Sequence, residues 1–201
     1  MSKDHPTRAR QRSTITALLF VTGMLWATAV AFGASSGFFR GLYPPLIGPL
    51  VALGILVPTI IYFASPALRA YFSDLGLFPL TVLHVWRIPA ALLFFWYGAH
   101  GLLPPLFWIL AGIGDFIAGL PALPLLRGPT DRAGYLRIHT FGFLDFVVAV
   151  GTGLTYTLLH DMRMAPIRDL PMALIPLFGV GISGASHLIA FHLLWKSRPG
   201  D

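Results

Sequence analysis

Six apolar stretches, near residues 13–33, 45–65, 79–102, 105–126, 137–159 and 171–195, constrain this chain more than any motif in it. Each is long enough to cross about 30 Å of hydrocarbon at about 1.5 Å per helical residue. Lipid offers no partner for backbone N–H and C=O groups, so segments of this length must be helices that close their own hydrogen bonds. The expected fold class is therefore all-α: an integral membrane helical bundle of about six transmembrane helices. Composition agrees, with 56% hydrophobic and 11% charged residues against about 25% charged in soluble domains. The mean hydropathy is +0.74. A soluble domain of 201 residues cannot hide so much apolar surface.

The chain divides into a basic tail at 1–12, one transmembrane domain at 13–195 and a short tail at 196–201. The basic start followed by an apolar run also fits a cleaved signal peptide, but a run of about 20 residues exceeds the 7–15 of a signal core and reads as a retained first span. Pro44-Pro45, Pro104-Pro105 and Pro171 stand where helices should begin, because a first turn loses nothing with proline's missing N–H.

Charge placement sets the expected orientation. With the N-terminus inside, Lys3, Arg8, Arg10, Arg12, Arg69, Arg127, Arg132, Arg137, Lys196 and Arg198 all face the cytoplasm. Arg40, Arg163 and Arg168 face outward, and Arg87 lies within a span. That bias predicts an N-in, C-in bundle under the positive-inside rule. The same placement explains the net charge of +6 without nucleic acid, which is not an expected partner. Residues 66–78 read as an amphipathic segment on the inner interface and 160–170 as a polar outer loop.

Several chemistries are excluded. The chain has no Cys and no Glu, so disulfides and thiolate chemistry are impossible, and any intramembrane carboxylate is an Asp. There is no Walker A loop, dinucleotide fingerprint, HExxH helix or GxSxG elbow.

Ionisable side chains inside a bilayer cost several kcal/mol, so those present are functional candidates. They are His84, Arg87, Asp115, Asp145 and His187, with His139 and His192 as secondary candidates nearer the inner surface and His100 near the outer one. Arg87, Asp145 and His187 each lie about eight residues, roughly 12 Å, from the inner end of their spans. They should share one depth, with Asp115 one to two turns further out. His84 and Arg87, three residues apart, present one helix face. Pro89 frees the carbonyl near Val85 and should kink span 3 there. The strings AGIGD, GFLDF and GVGISGASH let spans 4, 5 and 6 approach closely around the polar layer. Pro121 and Pro124 should break span 4 just past Asp115, as at transporter binding sites. A short echo of GDFIAG (114–119) in LDFVVA (144–149) is too brief to establish a repeat.

Two readings compete for this layer. In the structural one, Arg87 is neutralised by Asp145 or Asp115 and His187 is a hydrogen-bonding filler. In the functional one the groups bind something, because one arginine cannot neutralise two aspartates and also engage the histidines. The surplus favours the second, with Asp145 expected as the partner of Arg87 and Asp115 left free.

The residues His84-x-x-Arg87, AGIGD ending at Asp115, Gly142-x-x-Asp145 with the following FVVAVG, and PMALIPLF at 171–178 leading to His187 carry a resemblance. From about 84 to 187 the chain resembles a group of uncharacterised bacterial polytopic membrane proteins of similar size. The resemblance implies Trp-Asn where this chain has Ile138-His139, and it implies the same polar residues but no reaction.

The leading expectation is a multi-pass inner-membrane protein of bacterial type, its Arg/Asp/His cluster binding or conducting a small ligand, ion or proton in a transporter-like or sensory role. One alternative is a redox protein with haem or metal on His84, His139, His187 or His192. Another is an accessory subunit or assembly factor that works through helix faces, with other membrane subunits or a second copy as partners besides lipid.

Overall fold

A computed structural model of the chain describes residues 5–196. The expected tail beyond Lys196, with Arg198, and the start of the basic tail, with Lys3, lie outside the described residues. The described residues form helices and turns with no strand. Six of the helices are long and apolar enough to cross a membrane: span 1 (Ala9–Ser35), span 2 (Pro44–Ala64), span 3 (Leu77–Ala99), span 4 (Pro105–Arg127), span 5 (Arg132–Leu158) and span 6 (Ile175–Lys196).

Local chemistry fixes the ends of these helices. Pro44 and Pro45 open span 2 as a 3₁₀ turn, and Pro104 precedes the first turn of span 4. The sequence reading starts span 5 near 137, but Asp131 accepts from Gly134 N–H at 2.7 Å and the helix begins at Arg132. An N-cap of this kind satisfies one of the four orphan donors of a first turn. Pro171 does not begin span 6, which starts with a π-helical turn at Ile175–Gly179 before the regular helix Val180–Lys196. The amphipathic segment after span 2 is a helix, Pro66–Leu75, capped by Ser65, and the turn at Gly76 needs the positive φ of 77° that glycine supplies.

Two spans are irregular at the polar positions. In span 3 the α-helix Leu77–Val82 tightens to a 3₁₀ turn over Leu83–Trp86 before resuming at Arg87–Ala99, the position where Pro89 withholds a hydrogen bond. In span 4 the regular helix ends at Gly119, and Pro121 and Pro124 sit in two 3₁₀ turns, Leu120–Ala122 and Pro124–Arg127.

Spans 3, 4 and 5 pack in chain order, and span 6 packs against spans 2 and 5 and the first turns of span 3. Span 6 is the centre of the bundle, with 67% of its most apolar stretch buried against 6% for span 1. Span 1 leans on the bundle through the buried Val30 and Ala34 and through Trp26, which lies against the bare backbones of Gly54 and Gly181. Large apolar side chains such as Phe20, Phe32, Ile60, Leu92 and Ile113 face outward, the surface a lipid bilayer covers. One apolar core, around Phe39, Phe94, Phe107 and Met172, fills the end of the bundle near the 36–43 and 159–174 connections. Smaller cores around Tyr62, Leu80, Leu125 and Tyr135 fill the opposite end. Between them lies a layer of buried polar side chains.

Candidate functional site

Arg87 organises this layer. It is 2% exposed, and each of its three guanidinium nitrogens donates a hydrogen bond. Nε donates to Asp115 Oδ1 at 2.6 Å, Nη2 donates to Asp145 Oδ2, and Nη1 donates to the Gly142 carbonyl at 3.2 Å. Span 3 thus supplies the cation, span 4 one carboxylate, and span 5 the other carboxylate and a backbone acceptor. The planar fork of arginine makes this possible, because its donors diverge in fixed directions.

Asp115 was expected one to two turns away from Arg87 and free of it; the structure corrects this. Counting residues along separate helices ignores their tilt and the reach of a long side chain, and Nε and Nη2 span the difference. Close approach also depends on glycine: a Cβ on Gly114 would collide with the carboxylate of Asp145. Spans 4 and 5 can bring both aspartates to one guanidinium only because position 114 has no side chain.

A second group adjoins the first. His84, His139 and His187 are 1%, 0% and 0% exposed, and His84 stacks on His187 with ring centres 4.1 Å apart. The Nδ1 atoms of His139 and His187 are 2.9 Å apart, and His139 Nε2 is 2.9 Å from Thr81 Oγ1. His84 Nε2 is 3.1 Å from Ser186 Oγ. The 3₁₀ turn explains why His84 and Arg87 join one site, since side chains at i and i+3 eclipse in that geometry.

Hydroxyl protons set the tautomers. Thr81 donates its single proton to the Leu77 carbonyl at 2.8 Å, so at His139 it accepts, and His139 carries its hydrogen on Nε2. Its Nδ1 is then an acceptor, and His187 Nδ1–H donates to it. Ser186 likewise donates to the Ser183 carbonyl at 2.8 Å and accepts from His84 Nε2–H. Neutral rings satisfy all of these bonds and leave two bare lone pairs, His84 Nδ1 and His187 Nε2. Those are the two buried side-chain atoms among the described residues that have no hydrogen-bond partner.

The two groups meet at Gly142. A Cβ there would stand 2.7 Å from His187 Cε1, and 3.1 Å from both His187 Nε2 and Arg87 Nη1. The bare nitrogen of His187 therefore lies across a glycine notch from the guanidinium. On the far side of Arg87 is a mostly apolar cavity of about 80 Å³, with Arg87 and Asp115 in its wall beside Phe94, Phe107, Phe146 and Met172. It adjoins a smaller one of about 60 Å³ whose rim holds His160, Asp161 and Arg168, and Ile47, Thr157, Met164 and Ile167 line both. This mouth is pinned by ion pairs. Asp161 caps the Met162–Arg168 turn and pairs with Arg163 at 2.6 Å, whose hydrogen bonds hold the Asp161 carboxyl below its ordinary range. Arg40 Nε donates to Asp169 at 2.5 Å, which raises the guanidinium's own pKa.

Each of the three clustered histidines offers a nitrogen within 4.8 Å of the other two, the spacing a metal site could use. Both nitrogens of His139 are already engaged, however, and the His84 and His187 planes lie only 14° apart. No point lies in both of these ring planes at bonding distance, so these two rings as placed do not share a metal ion in-plane. His192 stands apart, its Nδ1 2.6 Å from the Tyr62 hydroxyl, and His100 is an exposed cap on the Trp96 carbonyl at 2.7 Å. The structure thus gathers His84, Arg87, Asp115, Asp145 and His187, moves His139 to the centre and leaves His192 out. Sequence reasoning did not single out Thr81, Ser183, Ser186 or the Gly142 carbonyl. The signal available was their spacing, Thr81-His84-Arg87 and Ser183-Ser186, at three-residue intervals on one face.

No curated protein and no solved structure matches the chain. A family model described as Domain of unknown function (DUF8737) matches residues 44–195, which takes in five of the six spans and the whole polar layer. The chain belongs to this family.

Proposed function

We propose that this is a bacterial inner-membrane protein with both termini in the cytoplasm, and that its Arg87 layer binds a small cation or proton in a transporter-like or sensory role. The observation that carries the reading is one buried guanidinium shared by two buried carboxylates, beside two imidazole nitrogens with bare lone pairs. Counting each ionised group once, the layer has one negative charge in surplus. A charge left alone in a low-dielectric interior is strongly unfavourable, so a positive partner is required there. The cavity on one side of Arg87 supplies a route for it, and the broken end of span 4 past Asp115 gives the neighbouring backbone freedom to adjust. The lysines and arginines cluster on one side of the six spans, which supports the orientation.

Charge displacement tests this reading. Purified protein in liposomes on a solid-supported membrane, given rapid jumps of proton, sodium, potassium or other cation concentration, should give a transient current for at least one of them. Asp145→Asn should abolish that current. Silence of the wild-type protein toward every cation tested would remove the reading.

A further inference from the structure

We infer that the positive charge taken up by the layer is carried by a small organic ammonium, a primary amine on a single ring or short chain, seated in the cavity against Asp115. This rests on the cation-binding reading above and names the class of cation. Asp115 is 8% exposed and spends Oδ1 on Arg87 Nε. Its second oxygen accepts no bond from the described residues, and its side chain keeps 12% of its surface accessible against 3% for Arg87. Both residues line the cavity, so what the layer offers an occupant there is carboxylate oxygen rather than guanidinium. His84, His139 and His187 do not form part of that wall.

The lining then decides among cations. A hard inorganic ion leaves water only where a set of oxygens replaces its hydration shell. Among the described residues, Asp115 and Thr157 carry the only side-chain oxygens in the wall, and the Thr157 hydroxyl gives its proton to the Gly153 carbonyl at 2.7 Å. Most of the remainder is hydrocarbon, aromatic and thioether, with Phe94, Phe107, Phe146, Met164 and Met172 among it. Sodium or potassium would lose its water here at a cost that one carboxylate does not offset. An ammonium on an apolar body fits the same wall. Its N–H donates to the free oxygen of Asp115 as a charge-assisted bond, the aromatic rings attract its charge, and its body buries apolar surface. Size sets the upper limit. The lobe of about 80 Å³ and the adjoining lobe of about 60 Å³ together approach the ~150 Å³ of a cavity that admits one benzene ring. Entry is through the smaller lobe, at the rim of His160, Asp161 and Arg168. Arg168 donates there to the carbonyls of Arg40 and Leu42, and aqueous salt screens its charge.

Benzylamine, protonated at neutral pH, and benzyl alcohol, the same ring without the charge, separate this site from a merely apolar hole. Calorimetric titration of the protein in lipid nanodiscs, with protein-free nanodiscs subtracted for partition into lipid, should show one saturable benzylamine site and at least tenfold weaker benzyl alcohol. Asp115→Asn, which keeps an acceptor for Arg87 and removes the charge, should weaken benzylamine at least tenfold. Ala149→Leu, which adds bulk to the cavity wall and leaves every charge in place, should weaken it as much. Circular dichroism and monodispersity establish that each variant is folded. Wild-type protein without a saturable benzylamine site, benzyl alcohol bound as tightly as benzylamine, or folded Asp115→Asn with wild-type affinity overturns the assignment. Currents evoked by protons, sodium or potassium in a protein that has no benzylamine site would overturn it while leaving the cation-binding reading intact.

Discussion

At the scale of residues, Arg87 is held by two carboxylates when one would neutralise it, and this redundancy can be measured. Either Asp115→Asn or Asp145→Asn leaves one ionised partner in place, and the amide oxygen still accepts from the guanidinium. Each single change should therefore cost less than about 1 kcal/mol of stability. The double change leaves Arg87 buried with no counter-charge, and breaking a buried pair costs about 3–5 kcal/mol. A thermodynamic cycle from reversible unfolding in mixed micelles checks this, and strictly additive losses would show that the aspartates do not share Arg87. Much of the layer was legible in the sequence because ionisable residues in apolar runs identify themselves. What was not legible was which carboxylate meets which donor. That depends on Gly114 admitting the Asp145 side chain and on the diverging donors of one guanidinium, and residue counting sees neither. Thr81 and Ser186 stayed hidden for another reason: hydroxyls are common in membrane helices, and only their three-residue spacing to His84 and Ser183 marks them.

At the scale of elements, the 3₁₀ turn Leu83–Trp86 aligns His84 with Arg87. Pro89→Ala returns an N–H to the Val85 carbonyl and allows a continuous α-helix, in which residues three apart sit about 60° out of register. Overall stability should stay within about 1 kcal/mol of the native protein, while the cation-induced current falls several-fold. An unchanged current would mean that the turn does not position the site. Prolines foretold this irregularity and the broken end of span 4, since a missing donor acts locally whatever surrounds it. They failed at Pro171, where a turn runs through Ala173 and a π turn opens span 6 instead. The start of span 5 was misplaced because Arg132 and Arg137 look like loop residues by charge. Asp131 caps the helix at that point all the same, and basic side chains at the end of a spanning helix can extend toward a membrane interface.

At the scale of the whole molecule, apolar run length made the six-helix architecture readable, because lipid leaves the backbone no alternative to closed helices. The orientation rests on the distribution of lysine and arginine. Since the chain has no cysteine, single cysteines report sidedness without background. Cysteines replacing Arg40 and Arg163 should react with an impermeant maleimide applied to intact cells, whereas one replacing Arg69 should react only after the inner membrane is opened. The reverse pattern would invert the bundle. All of these readings converge on one central claim, a shared guanidinium layer that holds a positive charge beside bare histidine nitrogens. An experimental density map of the protein in lipid nanodiscs tests it most directly. Arg87 should lie between Asp115 and Asp145, with an ordered water or ion peak within hydrogen-bonding reach of His187 Nε2. A map with either carboxylate turned away from Arg87, or with His187 Nε2 sealed against apolar atoms and no such peak, would contradict it.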